Sequence, residues 1–137
     1  RKIFAYLDFS EWQASRLLHG ASILTCVPFV ANDRDNAVRD FVSRAGGMPG
    51  GELVTHVAYT HYNALMALKA AMDRSGEASA LGGLAGFDGL TIETATGPLM
   101  LNGHGYPSMP MFIAAAEDGG PLTVVRKIDQ AISSMVC

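Results

Sequence analysis

The first third of the chain alternates short apolar runs with a stretch of helical spacing. Residues 2–6 and 22–27 are apolar runs of strand length, and Pro28 ends the second because it has no amide hydrogen to donate. Between them, Ser10 and Gln13 have the spacing of a capping box, which predicts a helix from Ser10 to about Leu18. This order indicates strand, helix, strand.

Two further helices are predicted in the middle of the chain. Residues 32–35 offer side chains that cap helices, and the apolar residues after them share one helix face: Ala37, Val38, Phe41, Val42 and Ala45. From about residue 55 to residue 73, apolar residues point in nearly every direction around a helix axis, which predicts a helix buried on several sides. Ser75 and Gly76 are expected to end it.

The last third is expected to consist of a loop followed by strands. The glycine-rich run 81–89 is predicted to contain little helix. The strand candidates after it are residues 90–93, 98–101, 111–116 and 122–126. Asp118–Gly119, between the last two candidates, predicts a hairpin.

Composition and charge argue against several functions. Ten Lys and Arg against thirteen Asp and Glu give a net charge of −3 over 137 residues. The chain has no basic cluster, which argues against binding to nucleic acid or to an anionic membrane surface. No apolar run approaches the roughly 20 residues that span a bilayer. Charged residues make up only 17% of the chain, so either the core is large or part of the surface meets more protein.

Cysteine and histidine give little support for chemistry. Cys26 lies in an apolar run, where a thiol behaves as a small hydrophobic side chain. His56 and His61 lie about 140° apart around a helix axis, too far to share a metal ion. We therefore expect no metal site, no cofactor and no catalytic site. A small α/β enzyme that pairs His56 or His61 with Tyr59 is a less favoured alternative, because His61 is poorly placed to meet Tyr59 on a helix.

Aromatic residues at the ends of elements are better candidates for a binding site. Phe29 follows Pro28 at the end of a buried strand, and Tyr59 and Tyr62 begin the long helix. Strand ends and helix starts are where α/β folds place ligand clefts. Core packing is the alternative interpretation; we favour it for Tyr62, and it stays open for Phe29 and Tyr59.

Five segments of the chain occur in an order and spacing that are typical of one protein family. They are residues 20–29, 36–44, 58–65, 96–101 and 111–119. The first is a glycine-led strand that ends in a proline–aromatic pair, and the third is similar to a helix opening of the type Ala-Tyr-Asp-Ala, with Asn63 where Asp is frequent. Together they resemble the C-terminal part of type I periplasmic solute-binding proteins, the branched-chain amino acid, amide and urea-binding family of ABC importers.

The resemblance implies a two-lobed α/β fold, the type I periplasmic-binding-protein fold, present only in part. On that map residues 1–27 belong to the second lobe, residues 28–97 to the first, and residues 98–137 return to the second lobe as the C-terminal tail. The crossings fall at Pro28 and at Gly97 and Pro98, which are the expected hinge residues. Because family members are several hundred residues long, we expect the remainder of a longer chain to complete the fold.

The resemblance also implies a ligand in the cleft between the lobes. The cleft residues it implies are Phe29, His56, Val57, Ala58 and Tyr59. The expected function is capture of a small solute (amino acid, amide, urea or small organic acid) in the periplasm and delivery to an ABC permease in the membrane, without enzymatic activity. A cytoplasmic amide-sensing regulator of the same fold is the alternative. A structure in which Phe29 and Tyr59 lie far apart, or are both buried in one hydrophobic interior, would contradict the transport interpretation.

Overall fold

The computed structural model describes residues 2–4, 20–49, 54–101, 107–118 and 120–131, and six strands and three helices lie in this part of the chain. In chain order the elements are β1 (Lys2–Phe4), β2 (Ser22–Val27), α1 (Asn36–Gly46), α2 (His56–Ser75), α3 (Ala80–Phe87), β3 (Thr91–Thr94), β4 (Gly97–Leu101), β5 (Pro107–Glu117) and β6 (Thr123–Ala131). The helix predicted from Ser10 to about Leu18 lies outside the described residues.

The strands form a sheet in the order β1-β2-β5-β4-β3, and β6 also pairs with β5. The β1–β2 pair is parallel and the other pairs are antiparallel. The long strand β5 joins two groups of strands: its residues 112–117 pair with β2, whereas Pro107 and Ser108 pair with β4. A register shift between Met109 and Met111 separates these two parts of β5.

The side chains at the helix ends explain where α1 and α2 begin and end. Asp35 caps α1 by accepting the Ala37 N–H at 2.9 Å, and Thr55 caps α2 by accepting the Ala58 N–H at 3.0 Å. Gly76 ends α2 in the left-handed conformation, with φ 74°. The predicted ends of both helices are confirmed to within a few residues.

The burial predicted for α2 is wrong. Its buried residues form a single stripe: His56, Tyr59, Asn63, Ala67 and Ala71. Apolar side chains on the other faces are exposed, among them Leu65 at 67% and Met66 at 41%. An alanine-rich helix has apolar residues all round whether or not it has neighbours on every side, and the described elements pack against one stripe only.

The prediction of little helix in residues 81–89 is also wrong, because α3 occupies Ala80–Phe87. Ser79 caps this helix by accepting the Gly82 N–H at 3.0 Å. A Cβ atom added to Gly86 would collide with the backbone of Ala71 on α2. Here glycine allows two helix backbones to approach closely, and this packing outweighs its weak helix propensity.

The strand predictions are largely confirmed. β2 matches the predicted bounds, and the four candidates after residue 89 correspond to β3 to β6 with ends shifted by a few residues. Asp118 adopts a left-handed φ of 50° after β5, which pairs antiparallel with β6 as the hairpin prediction requires. Cys26 is a correction: it is exposed, because the two-residue period of β2 turns Thr25 and Val27 inward and Cys26 outward.

Three clusters of buried residues form the core. The first contains Ile23, Val27, Val30, Phe112, Ala114, Ala116 and Leu122. The second contains Phe29, Val38, Val54 and Tyr59, and the third contains Ala67, Ala71, Leu90 and Leu99. Met109 packs against the second and the third, so these two clusters are continuous around the helices. The first cluster belongs to the β2–β5–β6 part of the sheet.

The helices can be compared with the length and apolar character that a membrane-spanning helix needs. In the part of the chain that the structure describes, no helix combines the length and the apolar character needed to cross a bilayer.

Candidate functional site

Phe29 and Tyr59 lie against each other in the core. Their rings stack with centroids 4.4 Å apart and an angle of 19° between the planes. Phe41 of α1 packs edge-on to both rings, with centroid distances of 5.7 Å to Phe29 and 5.2 Å to Tyr59. Offset-stacked and edge-on arrangements are the favourable geometries for aromatic rings. We call these three residues the aromatic joint.

The Tyr59 hydroxyl ties the aromatic joint to the turn between β3 and β4. It donates to Thr94 Oγ1 at 2.8 Å and accepts the Thr96 N–H at 3.1 Å, and Thr96 Oγ1 lies 2.9 Å away. Thr94 Oγ1 in turn donates to the carbonyl of Gly97. The joint therefore connects the segment after Pro28 to the turn that leads into Gly97.

These contacts show whether Phe29 and Tyr59 line a ligand cleft or pack in the core. Phe29 is 3% exposed and Tyr59 is 0% exposed, so both are core residues and neither ring faces an open gap. The expected cleft wall therefore needs correction at these two positions, because a ligand has no access to rings that pack against each other and against Phe41. This burial counts against both residues as ligand contacts, and it meets the condition that the sequence analysis set against the transport interpretation. A solute-binding role therefore cannot rest on these two rings. Tyr62, for which core packing was favoured, is instead 44% exposed.

The other implied cleft residues lie in the first turn of α2. Val57 and Ala58 are exposed, whereas His56 is buried beneath them. This turn is the amino-terminal end of a 20-residue helix, where the helix dipole is positive. Of the five implied cleft residues, only Val57 and Ala58 are accessible to a solute.

His61 and Tyr59 do not combine as the enzyme alternative requires. The Tyr59 hydroxyl bonds to Thr94 and Thr96, and His61 Nδ1 lies 2.8 Å from the Val57 carbonyl oxygen on the exposed side of α2. The two side chains therefore engage different groups. Within the described ranges, no three or more His, Cys, Asp or Glu residues are grouped so as to hold a metal ion.

The expected hinge residues lie in different surroundings. Pro28 is buried directly after β2. Gly97 has φ 123° and Pro98 pairs with Glu93, so both belong to the β3–β4 hairpin. The next apolar residue of β4, Leu99, packs in the core cluster of α2.

Strand pairing shows where β5 passes from one group of strands to the other. Met100 of β4 still pairs with Ser108 on the same side, and only from Phe112 onward does β5 pair with β2. Within the described sheet, β5 therefore changes partner from β4 to β2 at residues 109–111, whereas Gly97 and Pro98 pair with β3. Pro110, buried at the register shift, lies at the centre of this passage.

One buried polar residue was not selected from the sequence as a site residue. Asn63 is 3% exposed and borders two cavities, one on either side of α2. The signal that identifies it is periodicity, since Asn63 follows Tyr59 by four residues and so continues the buried stripe of α2.

Comparison with known proteins places the fold. No protein-family model and no curated protein sequence matches the chain. Solved structures do match: a periplasmic binding protein from Burkholderia mallei is 14% identical with a TM-score of 0.74, covering 90% of this chain and 34% of that protein. The chain has the fold of type I periplasmic binding proteins. This finding confirms the α/β class and the partial fold that the sequence implied.

Two further matches come from Rhodopseudomonas palustris. An ABC-type branched-chain amino acid transporter protein is 13% identical with a TM-score of 0.67, covering 93% of this chain and 35% of its own. A solute-binding protein in complex with benzoate is 18% identical with a TM-score of 0.70, covering 96% and 37%. The chain thus spans about a third of the length of the periplasmic binding proteins that it matches.

Proposed function

We propose that this chain is the C-terminal portion of an extracytoplasmic solute-binding protein that captures a small solute between two lobes and delivers it to an ABC permease. The observation that carries the proposal is the fold match together with two passages of the chain between its two groups of strands. The role needs no cofactor and no catalysis. The remainder of the longer chain completes both lobes.

The two passages have the arrangement that a hinge needs. Val27 pairs with Phe112, so Pro28, which follows β2, and Met111 of β5 are each one residue from the same strand pair. Hinges are short backbone segments that absorb the change in φ and ψ when lobes close. Two adjacent crossings define one axis, about which the β2–β5–β6 side turns relative to the helices. The aromatic joint keeps the helical side rigid up to Pro28.

The first turn of α2 supports a ligand of particular chemistry. Its exposed residues, Val57 and Ala58, provide a small apolar wall beside the positive end of the helix dipole. Such a helix terminus favours a carboxylate. We propose that the solute is a small organic or amino acid whose carboxylate faces this turn, with His56, Phe29 and Tyr59 supporting it from behind. Solute-binding proteins of this fold have been solved with benzoate and with 4-hydroxybenzoate.

Titration calorimetry on the full-length protein tests this proposal. The solutes are benzoate, 4-hydroxybenzoate, leucine and urea, which separate carboxylates from a neutral amide. Ala58→Glu places a negative charge at the proposed carboxylate site and is expected to weaken binding about tenfold or more. Val125→Glu on β6 is the matched control, because Val125 is 62% exposed and distant in sequence from α2. Equal affinity in the Ala58→Glu and Val125→Glu proteins would contradict the proposed site.

A further inference from the structure

The ladder between β4 and β5 ends just before two prolines would face each other. Met100 pairs with Ser108, and this is the described β4–β5 pair that lies nearest to the passage at residues 109–111. In the same register, two residues further along each strand, Pro98 would lie opposite Pro110. Instead, β5 next pairs with β2, beginning at Phe112. The two prolines therefore mark the place where β5 changes partner.

The hydrogen bonds of β4 show to which side the backbone of Pro98 is directed. Leu101 donates its N–H to the carbonyl of Leu90, which precedes β3, at 2.8 Å. Successive residues of a strand direct their N–H and C=O groups to opposite edges. Since Leu101 is directed toward β3, Met100 and Pro98 are directed toward β5.

The same alternation applies to Pro110 on β5. Met100 is directed toward β5, so its pair with Ser108 is of the hydrogen-bonded type, in which each residue donates to the other. Pro110 comes two residues after Ser108 and is directed to the same edge. Because proline has no amide hydrogen, a pair of Pro98 with Pro110 would contain two acceptors and no donor. Neither hydrogen bond of that pair can form, and the ladder stops.

Packing takes the place of ladder hydrogen bonds at this level of β5. Pro110 is among the largest fully buried side chains, and its Cγ lies 3.1 Å from the position that a Cβ atom on Gly97 would occupy. On the other edge of β5, the pairing with β6 is irregular between Met109 and Met111. The ladders on both edges of β5 are thus interrupted around Pro110.

We propose that Pro98 and Pro110 make residues 109–111 the pivot of the hinge, because the two prolines prevent β4 and β5 from pairing further along their length. A backbone segment that ladder hydrogen bonds do not fix can change φ and ψ at low cost, which a hinge requires. Pro110 contributes from the passage itself and Pro98 from the neighbouring strand. The inference rests on the proposed function, since a pivot requires two lobes that move.

The double variant Pro98→Val and Pro110→Val of the full-length protein tests the inference. Valine is favoured in strands and restores both amide donors, so the β4–β5 ladder can extend by two hydrogen bonds. Without solute, we expect the amides of Met109 and Met111 to exchange with deuterium about tenfold more slowly than in the unaltered protein, measured by NMR. With a solute whose binding calorimetry has established, the decrease in the radius of gyration at saturation should be smaller than in the unaltered protein.

Pro121→Val is the matched control, because Pro121 is exposed and precedes β6 without belonging to a described strand. We expect it to leave the exchange of Met109 and Met111 within about twofold of the unaltered protein. If the double variant fails to fold, Pro98→Val alone decides, since Pro98 is exposed and its new amide should be protected from exchange by the Pro110 carbonyl.

Four results would overturn the inference. They are unchanged exchange at Met109 and Met111 in the double variant, equal slowing in Pro121→Val, a fully exchanging amide at residue 98 in Pro98→Val, and slower exchange with undiminished closure. The exchange is measured without solute, so it reports on the two prolines whether or not a solute binds. If no solute changes the radius of gyration of the unaltered protein, the proposed function fails instead, and with it the pivot.

Discussion

Val27 pairs with Phe112 at the point where β2 ends and where β5 has just left β4. This pairing brings the two passages of the chain together in the sheet, because Pro28 follows Val27 directly and Met111 precedes Phe112 directly. On one side lie β1, the paired parts of β2 and β5, and most of β6, whose end at Ala131 pairs with Met109 at the passage itself. On the other side lie the three helices and the β3–β4 hairpin. The relationship supports a common bending axis.

The aromatic joint depends on the Tyr59 hydroxyl, and Tyr59→Phe tests that dependence. The substitution keeps the ring stack with Phe29 but leaves the buried Thr96 N–H without its best acceptor. We expect the free energy of unfolding to fall by about 1–3 kcal/mol, measured by chemical denaturation. Tyr62→Phe is the control, because Tyr62 is 44% exposed, and it should change stability by less than about 0.5 kcal/mol. Equal losses in the two variants would contradict the role of the hydroxyl.

Gly97, at the start of β4, is expected to be harder to replace than Gly89, which precedes β3. Its φ of 123° lies outside the left-handed region that asparagine tolerates, and a Cβ atom there would lie 3.1 Å from Pro110 Cγ. Gly97→Asn should lower the free energy of unfolding by about 2 kcal/mol or more. Gly89→Asn is the matched substitution, since Gly89 has φ 64° and open space around it, and should cost about 1 kcal/mol or less. The reverse order of the two losses would show that the Gly97 backbone is not constrained.

A third pair of variants tests the close contact between α2 and α3. Gly86→Ala adds a Cβ atom that collides with the Ala71 backbone, so the helices must separate. We expect a loss of about 1–3 kcal/mol in the free energy of unfolding, as for other overpacked cores. Gly47→Ala, where the nearest atom to the new Cβ would lie 3.6 Å away, should change stability by no more than about 0.5 kcal/mol. A neutral Gly86→Ala protein would mean that α3 does not pack as described.

Local sequence signals predicted the elements that local interactions define. β2 follows from its apolar run and Pro28, and α2 begins at the side chain of Thr55 and ends at Gly76. By contrast, α3 was missed because its glycines disfavour helix locally, and only the contact with Ala71 explains them. Propensity describes a residue and its near neighbours, whereas helix packing joins distant ones.

The site was predicted less well than the fold, for the same reason. The positions of Phe29 and Tyr59 at element ends were predicted correctly, but their burial depends on Phe41 and on hydrogen bonds to Thr94 and Thr96, which are 35 and 37 residues from Tyr59. The second crossing was expected at Gly97 and Pro98 because the family resemblance implied a crossing there. Strand pairing, which sequence spacing does not encode, keeps that hairpin on the helical side.

Small-angle X-ray scattering of the full-length protein, with and without a solute whose binding calorimetry has established, tests the account most directly. If the two adjacent passages at Pro28 and at residues 109–111 form a hinge between solute-binding lobes, the radius of gyration falls when the solute saturates the protein. An unchanged radius of gyration at saturation would contradict closure about these passages, and with it the proposed capture of a solute between two lobes.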